Sequence, residues 1–150
     1  MLDLWLAIIH HLLAFGLVTT VAIELALTKP GLDGPVLKRL GGIDAGYGLM
    51  ALLILGVGLA RVYWGGKGEA YYASNGWFWA KMAAFGVAGL LSIAPTMGYL
   101  RWRKRAGADP AALPSPAEVA GVRRFLVVEF LVLLLVPVFA AVMARYTTAG

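Results

Sequence analysis

Four long apolar runs, parted by clusters of Gly, Pro and charged residues, divide this chain. The first, Leu4 to Thr28, is about 25 residues long, and at 1.5 Å rise per residue a helix of that length crosses a bilayer's hydrocarbon core. It stops at Lys29-Pro30-Gly31, a strong breaker. Asp33-Gly34-Pro35 then offers an N-cap and an early helical proline. Pro35 to Leu40 therefore reads as an interfacial turn of helix ahead of a second run, from about Gly41 to Tyr63. The stretch from Trp64 to Gly76 is a loop rich in Gly, Tyr and Trp, and Tyr71, Tyr72, Trp77 and Trp79 form an interfacial aromatic belt. A third run spans about Trp77 to Tyr99, with Pro95 removing one backbone donor and bending the helix. Ser115-Pro116-Ala117-Glu118 has the form of a capping box with proline at the first helical position. It opens a fourth run, 116–145. The pattern predicts an all-α fold: an integral membrane four-helix transmembrane bundle, a single domain over 1–150 with no internal repeat.

Composition agrees. Of 150 residues 61% are hydrophobic and 14% charged, with mean hydropathy +0.79, against about 25% charged in soluble domains. Lipid-exposed backbone must satisfy its own hydrogen bonds, which favours helices for runs this long. There is no cysteine, so disulfides, thiolate chemistry and Cys-ligated metal are excluded. Met1-Leu2-Asp3-Leu4 has no basic n-region, so the first run is expected to be a retained helix and not a cleaved signal.

The net charge of +5 is topological, because the basic residues cluster at helix ends; it implies no nucleic-acid partner. Lys29, Lys38, Arg39, Arg101, Arg103, Lys104, Arg105, Arg123 and Arg124 flank loops 1–2 and 3–4, and only Arg61, Lys67, Lys81 and Arg145 lie on the opposite side. That asymmetry predicts cytoplasmic loops 1–2 and 3–4, both termini outside, and a multi-pass protein of a bacterial inner membrane.

Polar residues at membrane depth are costly and mark an interior or a site. With this topology they fall in two layers. The outer one holds His10, His11, Arg61 and Lys81. At 100° per residue His10 and Glu24 lie within about 40° on one face, roughly 21 Å apart along the axis, and His11 points about 100° away from His10. Geometry thus favours His10 as the inward histidine. On the second helix Asp44, Tyr47 and Arg61 share a broad face with Gly48, Ala51 and Gly58, small residues that admit a neighbouring helix or a flat ligand. On the third, Lys81, Ala84, Ala88, Ser92 and Pro95 make the least apolar stripe. The inner layer holds Glu24, Asp44 and Glu129, with Arg123, Arg124 and Arg101 near the same interface. It reads as carboxylates paired with loop arginines, or as a proton path.

A cationic layer beside an imidazole suits an anionic, metal-containing ligand, and haem b meets that description: imidazole for the iron, Arg or Lys for the propionates. The plainer competitors are snorkelling for Arg61 and Lys81, and helix packing for the histidine pair. Met50, Met82, Met97 and Met143 are scattered and give little support to a copper site.

The residues carry two resemblances. His10-His11-Leu12-Leu13, Asp44-Ala45-Gly46-Tyr47-Gly48, Tyr71-Tyr72 and Ser92-Ile93-Ala94-Pro95-Thr96 resemble an uncharacterised bacterial inner-membrane family over nearly the whole chain. More distantly, the layout resembles HemJ-type protoporphyrinogen oxidases and CopD-like membrane proteins. The early histidine matches His10 or His11, Trp77-Phe78-Trp79-Ala80-Lys81 matches the start of a later helix, and Arg123-Arg124-Phe125 through Glu129 matches a glutamate following basic residues. Ala14-Phe15-Gly16-Leu17 and Ile23-Glu24-Leu25 depart from that pattern. The HemJ-type resemblance implies haem binding through the histidine and lysine, with Lys81 or a methionine opposite or that position open. It also implies redox chemistry on a porphyrin, or electron transfer with a quinone. A transporter or copper-handling protein, and a cofactor-free accessory subunit, are the alternatives, and a homo-oligomer is compatible with each.

The topology is checked by reporter fusions after Gly107 and after Gly150: the first is expected to report the cytoplasm and the second the outside. The opposite pattern would invert which polar layer faces out.

Overall fold

A computed structural model of the chain describes residues 1–146; Gly150, the fusion point above, lies outside them. Five helices follow in order: α1 Leu2–Leu27, α2 Gly34–Trp64, α3 Glu69–Ala73, α4 Gly76–Ala108 and α5 Pro116–Arg145. All but the short α3 are long and apolar enough to cross a membrane. The fold is an all-α four-helix bundle. Around it, α1 packs on α2 and α5, and α4 packs on α2 and α5. One end carries the start of α1, the end of α5 and the α2–α4 connection; we call it the terminus end. The other, with the α1–α2 turn and the α4–α5 connection, is the basic end.

The turns follow local chemistry. α1 ends where Pro30 and Gly31 follow, and Gly31 has φ +83, a conformation that favours glycine. The Asp33 side chain accepts from the Val36 amide at 2.8 Å, with Pro35 in the first turn, so α2 starts here. Ser115 and Glu118 form the capping box in both directions, and Glu118 also pairs with Arg105 at 2.9 Å, tying the end of α4 to the start of α5.

Two helices run past their expected bounds. α2 continues unbroken through Gly41-Gly42 from Gly34, and α4 continues past Tyr99 to Ala108. At 31 and 33 residues they measure roughly 46 and 50 Å, longer than the ~30 Å hydrocarbon core. Hydropathy marks where a helix leaves lipid; it does not mark where the helix ends. Gly41 is a contact rather than a break, since a Cβ there would sit 2.8 Å from Arg103 Cδ on α4. The expected loop 64–76 likewise contains α3, and its Tyr72 is buried.

Packing is densest towards the basic end, where Leu37, Leu40, Tyr99, Trp102, Val119 and Val122 are buried together. Leu17, Val21, Ile54, Ala88, Leu126 and Leu133 continue this core through the middle. Leu12, Phe15, Leu52, Leu90 and Leu131 are exposed on the outer surface, as expected of side chains facing lipid.

Gly98 sets the α4–α5 approach: a Cβ there would lie 2.7 Å from Val122 Cγ2, and a β-branched side chain has little rotamer freedom with which to yield. Gly98→Ala is expected to lower stability in detergent by about 1–3 kcal/mol, the usual cost of overpacking. Gly89→Ala, where nothing lies within 4 Å, is expected to be neutral or stabilising by up to about 1 kcal/mol through helix propensity. Thermal or denaturant unfolding of the two variants checks the contrast.

Candidate functional site

The terminus end contains a cavity of about 210 Å³. α1 contributes His10; α2 contributes Ile54, Gly58 and Arg61; α3 contributes Tyr72; α4 contributes Phe78, Lys81, Met82 and Phe85; α5 contributes Val136 and Met143. Its walls are mostly apolar. The titratable residues among them are His10, Arg61, Tyr72 and Lys81, with no carboxylate among the described lining residues.

His10 faces inward because of its helical phase. Its ring lies on α2 where Gly58 lacks a side chain, with Cε1 only 3.4 Å from where a Cβ would be. Its Nδ1 is buried with no hydrogen-bond partner. His11 is exposed, and its Nδ1 lies 2.6 Å from the Ala7 carbonyl oxygen one turn earlier. The two rings stand nearly perpendicular with centroids 6.3 Å apart. Only one of the adjacent histidines therefore reaches the cavity.

The cations come from two further helices. Arg61 has a buried Nε without a partner. The Lys81 ammonium rests 5.0 Å from the centre of the Phe78 ring, a distance at which the ring face attracts a cation. His10, Arg61 and Lys81 interact electrostatically as a group of one sign. Like charges gathered on an apolar wall repel one another, and an anion relieves that repulsion.

The α3 segment closes this end. The Tyr71 hydroxyl donates to the Met143 carbonyl at 2.8 Å, fixing α3 to the end of α5. Tyr72 and Phe78 pack with ring centres 5.5 Å apart. Sequence reasoning set Tyr72 in an interfacial belt above the outer polar layer and did not bring Met82, Met143, Phe85 or Val136 to the site. The 3.6-residue phase of Met82 beside Lys81 gave no reason to prefer it, and the approach of Met143 depends on α3 being anchored.

Towards the basic end, Glu24 of α1 is 3% exposed and Glu129 of α5 is 1% exposed. Asp44 and Tyr47 come from α2. The three carboxyl groups and Tyr47 interact electrostatically, and the Tyr47 hydroxyl is directed at the Glu129 carboxyl. Thr96 of α4 donates to Asp44 Oδ1 at 2.7 Å. Beside them the Thr28 and Tyr99 hydroxyls share a hydrogen bond of 2.8 Å.

One expectation is corrected here. The inner carboxyl groups are not paired with loop arginines among the described residues. Arg123 instead donates to the backbone carbonyl oxygens of Leu25 and Thr28, which the end of α1 leaves without intrahelical partners. The helix terminus takes the guanidinium, and the acids are left to Tyr47, Thr96 and one another. Gly48 also departs from the small-residue face assigned to it: nothing would meet a Cβ there, and it is exposed.

Residues 2–147 match the family described as Predicted membrane protein (DUF2214). No curated protein and no solved structure matches the chain. With four helices able to span a bilayer and a match over almost its whole length, the chain belongs to this DUF2214 family of membrane proteins.

Proposed function

We propose that the terminus-end cavity binds an apolar ligand bearing an anionic group, and that a porphyrin, in its iron form haem b, is the ligand. The observation that carries this reading is the convergence of His10, Arg61 and Lys81 on one apolar cavity with no carboxylate among its described lining residues.

The side chains fit such a group chemically. The buried, unpartnered nitrogen of His10 marks an imidazole not committed to other hydrogen bonds and able to serve as an axial ligand. Arg61 and Lys81 supply cations for two carboxylates. The Met82 and Met143 thioethers and the Lys81 amine line the same cavity and would be further donors to the iron. At about 210 Å³ the cavity is below the ~300–1,000 Å³ typical of ligand sites. Its lining residues Leu55 and Leu59 are 39% and 58% exposed on the bundle surface, so a porphyrin would be only partly enclosed by it. A bound haem would supply one-electron redox chemistry, with a quinone as a chemically suitable partner.

With both termini outside, this cavity lies in the outer half of a bacterial inner membrane. A second reading, copper handling, gains one specific observation: Met82 and Met143 lie on the same cavity as His10, and thioether with imidazole is a donor set for Cu(I).

The absorption spectrum of the protein purified in detergent separates these readings. A Soret band is expected, abolished in His10→Ala while helical content is kept and largely intact in His11→Ala. Lys81→Met is expected to shift the band if the amine is a ligand, or to weaken porphyrin retention if it pairs with a propionate. A colourless wild-type protein, even when produced with excess haem precursor, contradicts the porphyrin reading. Copper recovered with that colourless protein, and lost from His10→Ala, supports the second.

A further inference from the structure

We propose that Glu24, Asp44 and Glu129 form a proton-binding site within the membrane span, separate from the terminus-end cavity, with an exchangeable proton held by the Glu24 and Glu129 carboxyl groups.

The chain has eight acidic residues, and three of them lie at this level of the bundle. Acid content alone would carry nothing. The decisive feature is that Glu24 and Glu129 are almost wholly enclosed, at 3% and 1% exposure, and each keeps a buried Oε1 with no hydrogen-bond partner. They belong to one electrostatic cluster. An ionised carboxylate removed from water costs several kcal/mol unless a cation or several donors compensate it.

The groups facing the pair from each packed helix supply little compensation. α2 brings Asp44 and Tyr47, and α4 brings Thr96 and Tyr99. α5 brings Arg123, whose guanidinium is engaged by the Leu25 and Thr28 carbonyl oxygens. The Tyr47 hydroxyl is one donor towards Glu129. Thr96 donates to Asp44, so Asp44 is the member best equipped to hold negative charge. A proton on the glutamate pair removes the repulsion from Asp44 and turns an unpartnered acceptor into a donor.

Binding needs no co-reactant: water supplies the proton, an O–H bond forms on a carboxyl oxygen, and release returns it. Asp44 and Thr96 are only half-buried and give the enclosed pair its polar contact with the less enclosed side of the cluster. Towards the terminus end, buried Leu17 and Ile54 form an apolar layer.

The test is infrared spectroscopy of the full chain in detergent, reading the stretch of protonated carboxyl groups in H2O and D2O at neutral pH. The other acids, Asp3, Asp33, Glu69, Asp109 and Glu118, lie at helix ends or in connections and not in the enclosed cluster. Wild type is expected to show the isotope-sensitive band and to lose it reversibly, with helicity kept, as pH is raised. Glu24→Gln and Glu129→Gln should each diminish the band, and the double variant should abolish it. If a Gln variant does not fold, Glu24→Asp, which keeps the carboxyl group, should fold and retain a shifted band. Absence of the band in folded wild type, or its persistence in the folded double variant, overturns the proposal. Loss of the band on adding Na+ or K+ at constant pH also overturns it and makes this a metal-cation site.

Discussion

The low dielectric of the bilayer governs this molecule. Lipid offers no partner to a backbone amide or a charged side chain, so polar groups must be satisfied inside the bundle or left at a cost. That constraint makes the chain helical, turns its Leu, Ile and Phe side chains outward, and gathers its few polar residues on inward faces. Those inward polar residues are also segregated by sign. The terminus-end group of His10, Arg61 and Lys81 has no carboxylate on its cavity among the described residues, whereas the basic-end cluster has three carboxyl groups and the guanidinium beside it, Arg123, is engaged by backbone carbonyls.

The separation is unusual because pairing the two signs would be the simple way to neutralise both. Leu17, Val21, Ile54 and Leu133 are buried in the intervening layer, and at 1.5 Å per residue about 21 Å of helix separates His10 from Glu24. Direct ion pairing across that distance is not available. The two proposals answer that separation from outside the chain, with an anion at one end and protons at the other. The two proposed sites are independent consequences of one packing arrangement.

Much of this was legible in the residues. Four apolar runs gave four helices, Ser115 to Glu118 gave a capping box, and the face shared by His10 and Glu24 favoured His10 as the inward ring. Less legible were features set by contacts between helices. The second apolar run starts near Gly41 in sequence, but the helix runs through it from Gly34, and Gly41 is where Arg103 meets α2. Hydropathy ended α4 at Tyr99, yet Trp102 beyond it is buried. Arg123 lies near the carboxyl layer in sequence-derived depth, but the unpaired carbonyls of α1 compete for it and win. Helix α3, with five residues, is too short for any periodicity, so the placement of Tyr72 and Met143 on the cavity was hidden.

Anion recognition at the terminus-end cavity is the point on which the functional reading turns, and binding of iron-free porphyrin measures it without the iron–imidazole bond. A porphyrin dicarboxylate and its uncharged dimethyl ester should be titrated into the protein in nanodiscs, following porphyrin fluorescence against empty nanodiscs. The dicarboxylate is expected to bind saturably and the ester not. Arg61→Met with Lys81→Met should reduce dicarboxylate binding to the level of the ester. Equal binding of both forms, or binding by neither beyond that of the lipid alone, would contradict anion recognition by Arg61 and Lys81.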